Sequence, residues 1–394
     1  MTSTPSTCPL TVYWDDRFLA YNFGPEHLFL QANRHLSVRL LESASFFSAP
    51  GPHLPRRVDK VEVASDEELL RFHERPFLES VRSAGRSPHP VLLDRGDTPG
   101  FPGCHEATAR IVEATLVGLG EVLSSRGHHA FNPAGGLHHA EPARARGFCI
   151  YNDVALAIKS ALDGPFHLSR VAYVDIDAHH GDGVMYGFYD DGRVLDIDFH
   201  QDGRTLFPGT GFIYETGEGD GKGLKVNVPL PPGAGDAAFL PLFDRIVPPL
   251  LREFKPELIV LQTGVDAHAG DPLSHLQFTP AAYDHAITTL HELSHELCGG
   301  RLLETGGGGY LATSVSRTLA RAAGILAGRR LGTSDLDPTP MDWREEFERR
   351  TGDLAPQTWG VVPPVYPFSW NKEYGERILS ALSDELGRGR GRKF

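Results

Sequence analysis

The chain has 394 residues, 40% of them hydrophobic and 23% charged, the proportions of an ordinary globular protein and not of a collagen-like or disordered one. With 38 Lys and Arg against 51 Asp and Glu, the net charge is −13, which repels phosphate backbones and disfavours nucleic acid as a partner. No apolar run reaches the ~18 residues of a membrane span, and the opening MTSTPSTCPL has neither the cationic nor the apolar part of a signal peptide. The four cysteines, Cys8, Cys104, Cys149 and Cys298, show no zinc-knuckle or redox spacing, and their sparseness fits a reducing compartment. The expectation is a cytoplasmic protein that contacts no membrane.

In chain order, Ser65-Asp66-Glu67-Glu68 is a capping box that opens a helix. From about Cys104 to Arg126, Val112, Leu116, Leu119 and Leu123 recur at helical spacing, and Gly127 can stop the run. Residues 152–163 repeat the pattern with Val154, Ile158 and Leu162, ending at Gly164. Thr279-Pro280 reads as an N-cap with proline at the first helical position, and Gly299 closes that helix. Between the helices lie short apolar runs at 171–174, 193–197, 258–261 and 301–303, which read as interior strands of a mostly parallel sheet. Residues 331–370 are Pro-rich and irregular, with a short helix expected after them. The organisation expected is one α/β domain over residues 10–330 and a C-terminal extension over 331–394 that packs on it or trails from it. The last residues carry Arg388, Arg390, Arg392 and Lys393 among glycines and read as a solvated tail.

The polar chemistry concentrates where strands end, the edge at which open α/β sheets bind ligands. In VDIDAHHGDG (174–183), residues two apart on a strand share a face, so Asp175, Asp177 and His179 are expected to project together as part of a divalent-metal site; a polar turn before a capped helix is the plainer reading. Asp266, after the strand at 258–261, can complete a set of three with an open position, which is the catalytic arrangement of a metal; alone it would be a helix cap. His138 and His139 follow a glycine turn, and Asp175 and Asp182 can each accept an Nδ1–H from one of them, the arrangement of a general base. Glu304-Thr305 leads into Gly306 to Gly309 and then Tyr310, a compliant loop that can carry a phenol to a reacting oxygen, though Tyr310 can equally be a core aromatic. It is not a P-loop, because GK[ST] is absent.

Taken together these segments resemble the histone deacetylase family, in particular its bacterial acetoin-utilisation branch. The resemblance runs from about Tyr13 to Gly328 and rests on GGLHHAEPARARGFCIYND (135–153), YVDIDAHHGDGV (173–184), FHQDGRTLFPGTG (199–211), GVDAHAGDP (264–272) and GGGGY (306–310). It implies an arginase-like three-layer α/β sandwich, with a central, mostly parallel sheet of about eight strands and helices on both faces. It implies that Asp177, His179 and Asp266 bind one catalytic zinc. It implies that His139, paired with Asp182, is general base and then acid, that His138, paired with Asp175, is mainly electrostatic, and that Tyr310 donates its hydroxyl to the substrate carbonyl. Gly147, Phe148, Phe207 and Leu273 match the walls of a narrow tunnel with Gly308 at its inner end, and Asp97 matches a rim acid that holds the substrate backbone. A potassium ion is implied at Asp175, Asp177 and His179, near Asp198 and Phe199.

The activity so implied is removal of acetyl groups from acetyl-lysine side chains of proteins. Three other readings compete with it. An acetylpolyamine deacetylase shares the fold and site, but its acidic gate device is not met by the apolar Leu273. A binuclear manganese hydrolase of the arginase type needs further acidic ligands, where this chain has His180. A non-catalytic acyl-lysine reader would be expected to lack Tyr310 or a metal ligand. The chain also departs from the family at Glu26-His27-Leu28, where His-Pro is common, at Asp198, where eukaryotic members carry a neutral residue or histidine, and at Leu311.

Overall fold

The structure, a computed structural model, describes residues 8–48, 54–89, 91–94, 96–124, 128–332, 334, 336–360 and 372–390. Its strands are β1 (Leu10–Tyr13), β2 (Arg56–Val58), β3 (Val91–Leu92), β4 (Pro99–Gly100), β5 (His129–Asn132), β6 (Val171–Asp175), β7 (Val194–Gln201), β8 (Lys225–Leu230), β9 (Leu258–Gln262) and β10 (Leu302–Thr305). The α-helices are α1 (Gln31–Ser43), α2 (Asp66–Leu69), α3 (Arg75–Arg86), α4 (Cys104–Ser124), α5 (Asp153–Asp163), α6 (Asp182–Gly187), α7 (Asp236–Phe254), α8 (Pro280–Cys298), α9 (Ala312–Leu326), α10 (Met341–Thr351) and α11 (Lys372–Arg390). Eight strands form one sheet in the order β2-β1-β5-β10-β9-β6-β7-β8, and every pair in it is parallel. β3 and β4 make a separate antiparallel pair.

The alternation of strand side chains builds the layers. Ala172, Val174, Ile259 and Leu261 face one core, with α1, α7, α8 and α9 over it. Their neighbours Val171, Tyr173, Leu258 and Val260 face the other, under α3, α4 and α5. Both faces are covered, so β6 and β9 are buried throughout, and their sequences read as continuous apolar runs. This is the expected α/β sandwich.

The local signals resolve as expected at several ends. Ser65 forms a reciprocal capping box with Glu68, though α2 is a single turn. Asn152 caps α5, Thr279 caps α8 with Pro280 following, and Gly299 ends α8 in the left-handed region at φ 64°. The expected stop at Gly127 lies outside the described residues.

α7 has no such signals; Pro241, Pro248 and Pro249 lie inside it. An interior proline costs about 3 kcal/mol. Phe239, Leu242, Phe243, Ile246, Val247, Leu250, Leu251 and Phe254 outweigh that, because each is buried against the sheet and contributes about 1.5–3 kcal/mol.

Beyond residue 330, α10 buries Trp343 and Phe347, and Trp343 Nε1 donates to the Leu36 carbonyl at 2.8 Å. The last helix is longer than the short one expected: α11 runs 19 residues to Arg390 and buries Ile378, Leu379, Leu382 and Leu386. The stretch 361–371 and the basic residues Arg392 and Lys393 lie outside the described residues.

Candidate active site

Four neighbouring strands, β5, β10, β9 and β6, end at the same edge of the sheet, and each is followed by one of the polar motifs. The loop after β5 carries His138 and His139, and Asp153 fixes it by accepting from the Gly136 and Leu137 N–H groups (3.1 and 2.8 Å) and from Thr115 Oγ1 (2.6 Å). Asn152 Nδ2 donates to the carbonyls of His138 and Ala140, both at 3.0 Å.

β6 ends at Asp175, so strand alternation does not extend to 177 and 179, and this corrects the expectation that the three side chains share a face. Asp177 and His179 meet Asp266 from the loop after β9. His179 Nδ1 lies 2.7 Å from Asp266 Oδ2 and 3.4 Å from Asp177 Oδ1. Asp175 turns away to His138. Backbone donors hold the cluster: Ala178 N–H to Asp266 Oδ1 (2.7 Å), His179 N–H to Asp177 Oδ1 (2.9 Å) and Gly308 N–H to Asp177 Oδ2 (2.6 Å). A Cβ at Gly308 would overlap the Asp266 carboxylate, so the residue there must be glycine.

One donor atom from each of Asp177, His179 and Asp266 lies within 4.8 Å of the other two, and all three residues are buried. Burial and then the Asp177 charge raise the Asp266 carboxyl. Burial opposes a charge on His179, but Asp266 and Asp177 outweigh it and lift the imidazole to about 10. Two carboxylates confined together out of water, with an imidazole drawn toward a positive charge, make a donor set that fits a divalent cation.

The histidine pair has the expected partners. His138 Nδ1 lies 2.8 Å from Asp175 Oδ2, which also accepts from the Tyr173 hydroxyl at 2.5 Å, and His139 Nδ1 lies 2.7 Å from Asp182 Oδ1. Their Nε2 atoms face each other at 3.0 Å. Of the two imidazoles, His138 is the more basic. Burial works against a charge on His138, yet Asp175 and Asp177 raise it to about 10. Burial, then the positive charges at His138 and His179, press His139 well below its ordinary value. Arg146 Nε lies 2.6 Å from Asp182 Oδ2 and competes for that carboxylate, which burial nonetheless raises to about 6. The surroundings therefore favour a positive charge on His138 over one on His139.

A cavity of about 250 Å³ opens above these groups, lined by Asp97, His139, Gly147, Phe148, His179, Leu206, Phe207, Leu273 and Tyr310. The ring of Phe207 lies 5.1 Å from that of His139, and the ring of Phe148 lies 6.1 Å from that of Tyr310. A Cβ at Gly147 would come within 2.6 Å of His139 Cδ2 and narrow the passage. Burial, then the charges of Asp266 and Asp177, raise the Tyr310 phenol well above 10, so it remains a hydroxyl donor at neutral pH. At the mouth, burial and the neighbouring Asp94 lift Asp97 to about 6. Thr98 Oγ1 donates to Asp97 Oδ1 at 2.9 Å and accepts from the Phe148 N–H at 3.0 Å, which ties the rim to the wall. His27, in the segment that departs from the family pattern, packs edge-on against Phe148 at 4.6 Å.

The sequence profile of the histone deacetylase domain matches residues 36–326. The chain belongs to the histone deacetylase family. It is also similar to the acetoin utilization protein AcuC of Bacillus subtilis, at 36% identity over 89% of each chain. The AcuC proteins of Staphylococcus aureus strain MSSA476 and Staphylococcus xylosus are each 32% identical, over 88% and 87% of this chain and 88% of their own length. Membership places the chain among hydrolases of the deacetylase type, and no helix among the described residues is long and apolar enough to cross a membrane.

Several residues that support a deacetylase-family site escaped sequence reasoning. Arg146, Asn152, Asp153 and Asp271 lie inside the recognised motifs, and Leu206 is next to Phe207. Asp271 accepts from the Tyr310 N–H at 2.9 Å and so aims the phenol-bearing loop. Arg34, on α1, had no signal at all. It is buried, donates to the carbonyls of Gly307 and Gly309 (the latter at 3.1 Å), and lies 4.3 Å from the Phe29 ring centroid.

Proposed function

We propose that the chain is a zinc-dependent deacetylase of acetyl-lysine side chains in proteins. The observation that carries this reading is the single cavity that joins an acid at its mouth, apolar walls, and at its floor an imidazole, a metal-donor histidine and a phenol. Apolar walls suit the four-carbon stem of lysine and a neutral acetamide, whereas the charged amine released would pay desolvation there and leave. Asp177, His179 and Asp266 would hold the zinc ion, which would supply Lewis acidity when bound. A potassium ion at oxygens of Asp175, Asp177 and His179 would relieve the repulsion by which Asp198, after burial itself, lifts Asp175 to about 7.

His139 takes a proton from the water as its oxygen bonds to the acetyl carbon. Tyr310 donates to the carbonyl oxygen as that becomes an anion. The C–N bond then breaks, the amine leaves with the proton from His139, and the products are acetate and lysine. Asp97 at the rim accepts from the substrate backbone.

Tyr310→Phe tests the reading against a non-catalytic reader. The ring stays and only the hydroxyl goes. Loss of one donor to a developing oxyanion costs about 10²–10³ in kcat, so kcat should fall by that factor while metal content and peptide affinity stay within a few-fold of wild type. Turnover at the wild-type rate would make Tyr310 a wall residue. Wild-type protein that binds the peptide with zinc present and never cleaves it would be a reader.

Asp97 separates peptides from polyamines. Asp97→Ala should raise KM for acetyl-lysine peptides and leave small acetamides unaffected; equal losses on both would favour the acetylpolyamine reading. The ionised carboxylate is the stronger acceptor, and its acidity is set to about 6. Peptide KM should therefore climb as pH falls through about 6, with KM for a small acetamide flat over the same range.

A further inference from the structure

At the far end of the strands from the active site, one thiol and three imidazoles converge. His129 opens β5 at its N-terminal end, and Cys8 lies just before β1. His291 and His295 are one turn apart on α8, on the face that meets the sheet. One donor atom from each of the four lies within 4.8 Å of the others. The three ring centroids form a nearly equilateral triangle with sides of 4.9, 5.1 and 4.9 Å, and Cys8 Sγ lies 3.1 Å from His295 Nε2.

His129 is completely buried, and neither of its ring nitrogens makes a well-formed hydrogen bond, the Gly300 backbone exerting only a weak pull; His291 Nδ1 has no partner either. Buried polar atoms in native proteins are nearly always paired, so these unpaired nitrogens, on rings gathered beside a thiol, require an explanation. Edge-on packing of three rings satisfies shape but leaves these lone pairs unused.

We propose that Cys8, His129, His291 and His295 form a second metal site, a closed structural zinc site built from one cysteine and three histidines. The donor chemistry is that of zinc: one thiolate and three imidazoles, four protein ligands, and no position left for substrate. A tetrahedron with Zn–N of about 2.05 Å and Zn–S of about 2.3 Å separates its donors by about 3.3–3.6 Å, so a small closure of the present cluster completes it. The imidazoles are in the form a metal needs. Burial holds His129 well below its ordinary value, brings His291 to about 4 and lowers His295, so all three lone pairs are available at neutral pH. The site ties the segment before β1 and the helix α8 to the N-terminal edge of β5, three parts of the chain far apart in sequence. It stands independently of the deacetylase reading.

The test is optical. The full-length protein is stripped of metal and loaded with Co2+ alone. A thiolate-to-cobalt charge-transfer band is expected, and Asp177, His179 and Asp266 cannot produce it because they contain no sulfur. The band should persist in Asp266→Ala. It should vanish in Cys8→Ser and weaken or vanish in His295→Gln, each variant binding one equivalent of metal less than wild type. The absence of a band in the cobalt-loaded wild type, or a band that survives Cys8→Ser, overturns the proposal. If Cys8→Ser fails to fold, His295→Gln supplies the assignment, and hydrolytic activity is not needed to read it.

Discussion

Asp266→Ala is expected to lose one equivalent of metal and nearly all hydrolytic activity together. Asp266 contributes one of three donors, and its other oxygen holds the Ala178 N–H at 2.7 Å in the loop that presents Asp177 and His179. Removing it leaves two donors and loosens both. Lewis acidity at the carbonyl is worth several kcal/mol, so turnover should fall by about 10³-fold or more. Asp266→Asn separates charge from shape. The amide oxygen can keep the Ala178 contact, while the negative charge that repels Asp177 disappears. Stripped of metal, Asp266→Asn relieves that repulsion but also loses the charge partner of His179 Nδ1 at 2.7 Å, so it should unfold at a temperature close to that of stripped wild type, although its metal affinity is poor. Elemental analysis before and after a chelator reads the metal content, and a thermal melt of the stripped proteins reads the stability. Metal content in Asp266→Ala equal to that of wild type would remove Asp266 from the ligand set.

Much of this site can be read in the sequence because its parts stand where patterns are plain. β6, β9 and β10 are buried on both faces and stand out as apolar runs, and the acids, histidines and glycines that follow them are conspicuous by type. Other parts are silent for physical reasons. β5 has only four residues, HAFN, and β8 contains Lys225 and Asn227, polar residues that are buried because Lys225 Nζ donates to the Val194 carbonyl at 2.7 Å and Asn227 Nδ2 to the Glu215 carbonyl at 2.9 Å. α7 is masked by its prolines. Asp175 was placed beside Asp177 by an alternation that holds only while a strand continues, and the strand stops there. Arg34 works on backbone carbonyls some 270 residues away (Gly307 and Gly309, separations of 273 and 275), a relation that no local pattern carries. Cys8 and His295 are 287 residues apart, and only the turn spacing of His291 and His295 on one helix hints at a shared role.

The histidine pair yields the remaining large effect. His139 lines the cavity and His138 lies behind it, with their Nε2 atoms 3.0 Å apart. His139 is the less readily charged member and can take a proton; positive charge is favoured on His138, by Asp175 and Asp177. His139→Ala should therefore lower turnover by about 10²–10⁴, the usual worth of a positioned general base. His138→Ala should cost less, since it removes a neighbouring charge and not the proton acceptor. It should also leave a distinct trace in the pH profile. The cation at His138 is one of the causes that depress His139, so its removal raises the basicity of His139. A general base works only when deprotonated, and activity is lost as pH falls through its pKa. The acidic limb of kcat/KM in His138→Ala should therefore move to higher pH than in wild type. In Asp182→Asn the limb should move the other way, because His139 then loses the carboxylate 2.7 Å from its Nδ1. If His138→Ala proves the more damaging variant and its acidic limb stays in place, His138 is the proton acceptor and the two roles exchange.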